Sequence, residues 1–262
     1  MRKLTKDSFN SNDVPLWGVL FVVALTLISA TLKAQDTDAL SQRLLRTSHA
    51  TRINDIDAKP WHLKINFQLF DPKGKPSETG TIEEWWAGLS TWKFHIESPS
   101  YTGTVVENRQ GDFRTSGIGP VPLLLRSIES DFVYPMPMGE NPGKTKFQLH
   151  HQKVSNLKAD CIELSDPTIP MSFPSYCLVP TKDALLAIYS SSGSRSTLFE
   201  HIENFRGQLT ARTISYKAGN ILLFSASADE LNEIQPSDGL FTPSADMQKV
   251  TDMHTLKITT VK

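Results

Sequence analysis

The chain has 262 residues, with Lys+Arg 27 against Asp+Glu 28 and a formal net charge of -1. That balance excludes broad electrostatic binding of nucleic acid or of an anionic membrane surface. Less an N-terminal targeting segment, the length suits one domain with ample chain to bury a core.

Arg2, Lys3 and Lys6 precede a chargeless run from Val14 through Leu32, and Lys33-Ala34-Gln35-Asp36 follows it. Basic residues ahead of an apolar run are the layout of an export signal, and the run is also close to the lower limit for spanning a bilayer. Residues 1–34 are therefore read as a signal peptide or an uncleaved inner-membrane anchor. Both options face residues 35–262, a single β-rich domain, toward the periplasmic or extracytoplasmic side. Cys161 and Cys177, an even count in an exported chain, predict one disulfide. Neither lies in a C-x-x-C pair, so zinc and dithiol redox chemistry lack their usual spacing.

Behind the leader, Leu40, Leu44 and Leu45 are spaced for a short amphipathic helix over 36–46. After Pro60, Leu63, Ile65, Phe67 and Leu69 alternate with His62, Lys64, Asn66 and Gln68, the period of a half-buried strand. Asp71-Pro72-Lys73-Gly74 is a turn. Strands over 79–87, 91–97 and 101–108 then form a meander. Within it Trp92, Phe94 and Ile96 share a face, whereas the adjacent Trp85 and Trp86 point to opposite faces. From Pro120 and Pro122 the period changes, and Leu123, Leu124, Leu125, Ile128 and Phe132 predict one short apolar helix. The proline-rich stretch 134–139 is a loop.

Strand patterns resume over 146–154, 159–164, 175–179, 184–190, 198–205, 209–217 and 220–228, with a hairpin turn at Ala218-Gly219. Residues 255–261 are read as a terminal strand. The fold class is mainly β (α+β): a curved antiparallel sheet or half-barrel with one or two short helices, preceded by an N-terminal hydrophobic segment.

No local motif of catalysis or of nucleotide or metal binding is present, and no enzyme activity, cofactor or metal is expected. Gly117-Ile118-Gly119-Pro120 begins like a nucleotide loop, but Pro122 stands where a third glycine belongs. His150 and His151, like Glu83 and Glu84, are neighbours on one strand and diverge.

Three stretches carry a family resemblance: Pro60-Trp61-His62-Leu63-Lys64, Phe70 through Pro76, and Gly80-Thr81-Ile82-Glu83-Glu84-Trp85-Trp86-Ala87. They resemble the extracytoplasmic region of acidobacterial TonB-family energy-transducer-like proteins. That region in turn resembles the half-barrel of Lol-type lipoprotein carriers, whose concave side holds acyl chains, and Phe199 through Gly207 is similar to the end of that half-barrel. Family members continue into a TonB-type C-terminal domain; this sequence stops at Lys262 without one, so a stand-alone envelope domain is expected.

The resemblance implies an apolar ligand, a lipid or lipoprotein acyl chain, held on the concave face by Trp85 or Trp86, whichever of the two faces inward, with Trp92, Phe94, Ile96, Tyr101, Val105, Leu124 and Ile128. The same residues equally suit a packed core. In that case the chain is an envelope interaction or scaffold protein related to TonB-dependent transport, docking a protein partner through a sheet edge and the proline-rich loop. A hydrolase whose residues converge only in three dimensions is a further alternative.

Overall fold

The computed structural model describes residues 37–55, 57–137, 145–165, 173–237 and 239–250. Contacts divide the chain into two units, Met1–Ala39 and Leu40–Lys262, and the second carries the described strands. The expected leader and the expected strand over 255–261 both lie outside the described residues. No helix among the described residues is long and apolar enough to cross a membrane.

A helix, α1 (37–51), opens the described chain, and its residues from Leu40 onward belong to the second unit. Five strands come next: β1 (Trp61–Phe70), β2 (Pro76–Gly88), β3 (Thr91–Glu97), β4 (Thr102–Asn108) and β5 (Gly111–Thr115). After the helix α2 (Leu123–Val133) come β6 (Lys146–Val154), β7 (Leu157–Ser165), β8 (Ser175–Leu178) and β9 (Leu185–Tyr189). The chain continues through β10 (Arg195–Phe205), β11 (Gln208–Ala218), β12 (Ile221–Glu233) and β13 (Met247–Lys249).

The described strands make one antiparallel sheet in the order β13-β5-β4-β3-β2-β1-β12-β11-β10-β9-β8-β7-β6. That order corrects the expectation of a curved half-barrel. The sheet is open, with β13 at one edge and β6 at the other, and the two do not pair. Closure requires two complementary edges, and both of these are unsuited to further pairing. β13 has only 3 residues, and β6 presents Lys146, His150, His151 and Lys153 as exposed side chains, two ways in which sheet edges are blunted.

Local chemistry explains the elements. Gly74 takes φ 75 in the β1–β2 turn, where Asp71 Oδ1 accepts the Lys73 and Lys75 amides at 2.8 and 2.9 Å. Alternation puts Trp61, Leu63, Ile65 and Phe67 on the buried face of β1. Across the ladder, Trp61 faces Trp86 with their rings stacked 6.0 Å apart. Leu44 from α1 and Leu125, Ile128 and Phe132 from α2 join this face in one cluster that extends through β12 and β11 to Phe199. In α2, Leu123 lies outward and is 81% exposed, so only part of its expected apolar stripe turns inward.

Candidate functional site

Of the residues expected to form an open ligand face, all but Trp85 lie in or against this core. Trp86, Phe94, Ile96, Val105 and Ile128 are buried in one cluster, and Trp92, Tyr101 and Leu124 pack against it. Trp92 Nε1 donates to Glu107 Oε2 at 2.8 Å, and the Tyr101 hydroxyl donates to the Gly119 carbonyl at 3.4 Å. Trp85 points the other way, stacked on His62 at 4.8 Å with the Lys93 ammonium 5.1 Å from its ring. The reading of an apolar ligand on the concave face is corrected on this ground. α1 and α2 supply the side chains that cover the face, leaving a packed interior where an open cleft was expected.

Alternation also turns Glu84 inward, in phase with Ile82 and Trp86. It is buried and meets Glu129 of α2. Burial, reinforced by Glu129, holds the Glu84 carboxyl well above the usual carboxylate range. Burial likewise raises Glu129, opposed by the Arg126 guanidinium, whose Nε lies 3.8 Å from Glu129 Oε2. The partly buried Asp131 is pushed up to about 7 by burial and then by Glu129. Glu83 faces outward with His62 and Lys64, at 3.2 and 3.4 Å.

The folded chain therefore holds protons that unfolding releases. The stabilisation is complete below the unfolded carboxylate values and is lost as pH rises through the folded ones, a window of 3.8 to about 7 for Asp131. Glu84→Gln is expected to flatten the fall of stability with rising pH, read as the urea midpoint in acid and in alkaline buffer. An unchanged slope would mean that Glu84 is solvated.

An accessible concave surface lies elsewhere. A groove of about 770 Å³ runs between the turns at the ends of β6 and β8 and the second half of β10. Val154 and Leu157 contribute from the ends of the strands at the first turn, Val179 and Ala184 from the second turn, and Leu186 from β9. From β10 it is lined by the consecutive residues Phe199, Glu200, His201, Ile202, Glu203 and Asn204. Side chains of consecutive strand residues alternate between faces, so a groove touching all of them follows the edge of the backbone.

Pairing explains why this space is open. On one side β10 pairs with β11 from Arg195 through Phe205, but on the other its pairing with β9 stops at Leu198. His201 has φ 53 and no opposite residue, since Glu200 faces Thr213 and Ile202 faces Ala211. This is a bulge, which bends a strand and ends pairing. The sequence carries its trace: Phe199 and Ile202, which both pack with the main core, are spaced by three, where an unbroken strand alternates by two.

Cys161 and Cys177 lie directly opposite each other on β7 and β8 and are joined as a disulfide. They belong to a second apolar cluster with Val154 and Leu186, which also line the groove. A structural disulfide belongs to an oxidising, extracytoplasmic compartment. His150 and His151 each meet an acid of β7, Glu163 at 3.1 Å and Asp160 at 2.9 Å. Among the described residues no group of three or more His, Cys, Asp and Glu is placed to hold a metal ion.

No known protein-family model matches this chain, and no curated protein matches it. Among solved structures it is similar to a LolA-superfamily protein from Nitrosomonas europaea, with 14% identity, coverage of 78% of this chain and 97% of that one, and a TM-score of 0.46. A putative outer membrane lipoprotein-sorting protein domain from Vibrio parahaemolyticus gives 12% identity, 77% and 97% coverage, and a TM-score of 0.47. The MucA/MucB complex of Pseudomonas aeruginosa gives 13% identity, 81% and 63% coverage, and a TM-score of 0.26. The likeness is a distant structural one to LolA-superfamily and lipoprotein-sorting proteins, and it does not extend to the TonB-family assignment.

Proposed function

We propose that this protein is a non-catalytic cell-envelope interaction module, with a dry core and a protein partner docked at the β10 groove. One observation carries the reading. The large apolar side chains of the inner face are enclosed by the chain's own helices, while accessible apolar surface is gathered beside a strand whose ladder stops at Leu198. A lined concavity with a few polar groups at its rim is the usual form of a binding site. Delivery by residues 1–34, as a cleaved signal or a retained anchor, belongs to this reading on the sequence alone, as does a partner in a transporter-related complex.

A photo-crosslinking residue placed at Leu157, which is 56% exposed, tests the site in the native envelope. The expected result is one discrete protein adduct, absent when the crosslinker replaces Lys73 in the β1–β2 turn. A lipid adduct at Leu157, or none, would remove the proposal.

A further inference from the structure

We infer that the β10 groove is a strand-addition site: an extended segment of the partner pairs its main chain with the open edge of Phe199–Phe205 and lays alternate apolar side chains against Leu157 and Val179. This rests on the protein-interaction reading and specifies the form in which the partner binds. An open strand edge presents N–H and C=O groups aimed sideways at every second residue, a template that another chain completes. The outer edges of this sheet are blunted by shortness at β13 and by charged and imidazole side chains along β6. The inner edge of β10 is open beyond Leu198; it carries Glu200, His201 and Glu203, but it is flanked by the apolar side chains of Leu157 and Val179 across the groove.

The walls define the occupant further. Glu200 and Glu203 lie on the β10 side and Lys182 on the opposite side, and Glu203 is already engaged by Arg212 Nε at 2.6 Å. Glu200 is therefore the carboxylate left to meet a cation from the segment, and Lys182 the matching site for an anion. The partner is thus an extended polypeptide of alternating apolar and polar residues, with a basic residue beside Glu200. A lipid tail has no donors or acceptors for the strand edge, and a helix hides its own main-chain groups.

A displayed library of random heptapeptides, selected on the whole chain with its disulfide intact, tests this directly. Enriched peptides are expected to alternate apolar with polar residues and to carry Lys or Arg. Their binding should slow amide exchange within Phe199–Phe205 by about tenfold or more, and N-methylation of alternate peptide amides should weaken it by about tenfold or more. Leu157→Asp, at an exposed position, should weaken binding with the thermal midpoint unchanged. No enrichment, protection elsewhere in the sheet, or indifference to N-methylation overturns strand addition. So does a dimer of the chain alone that shields the same amides, since the edge then belongs to a second copy. A protein adduct at Leu157 without protection of β10 would leave the interaction reading standing and remove this one.

Discussion

Phe94→Ala is expected to destabilise the protein by about 3 to 5 kcal/mol, the range for truncating a packed aromatic, because a cavity remains after the transfer free energy is lost. Phe94 is 1% exposed and sits between Glu84 of β2 and Val105 of β4 across the ladder, with the Arg126 guanidinium 5.4 Å from its ring. It belongs to the main packed cluster of buried residues. Trp85→Ala, on the opposite face between His62 and Lys93, is expected to cost about 1 kcal/mol, in keeping with a half-buried cation–π and stacking contact. Urea unfolding of both variants measures the contrast, with a fatty-acid fluorescence titration of the wild type alongside. A small loss for Phe94→Ala combined with saturable probe binding would return the inner face to an open cleft.

Replacing both cysteines, Cys161→Ala with Cys177→Ala, is expected to remove about 3 kcal/mol on the chain-entropy estimate for a loop of this size. The bonded residues are separated by 16 in sequence. The cost has a second consequence at the groove. The disulfide packs with Val154 and Leu186, so loosening β7 against β8 displaces one wall of the proposed binding site. Denaturant unfolding with and without reductant reads the first effect, and peptide affinity of the double variant reads the second. Two alkylated cysteines in unreduced protein from the native envelope would show that the bond does not form there.

The elements that were legible depend on neighbours close in sequence. Alternation from Leu63 to Leu69 marked β1, and Asp71 through Gly74 marked the turn after it, because pleat and turn geometry involve only adjacent residues. The same holds for the hairpin at Gly219, which takes φ 59, and for the opposed faces of Trp85 and Trp86. The disulfide was legible from the cysteine count and the leader. β5 and β13 were not, since Gly111–Thr115 and Met247–Lys249 are short, polar pieces whose strand state comes from their partners.

Glu84 shows the limit within a single element. Its phase with Ile82 and Trp86 placed it on the core face, yet a carboxylate is assigned to water until a buried partner is known. That partner, Glu129, comes from a helix 45 positions away in sequence. Phe94 and Ile96 show the same limit on a larger scale, because a row of apolar side chains reads identically whether it faces a ligand or a helix. The sequence by itself determined strand phase, turns, the helix at α2 and the cysteine pair, all set by local geometry and composition. Only the tertiary structure decided that the sheet stays open, that α1 and α2 close its inner face, and that β9 leaves β10 at Leu198. Those outcomes depend on which distant segments compete to cover an apolar face or pair an edge, and that competition leaves no periodic mark along the chain.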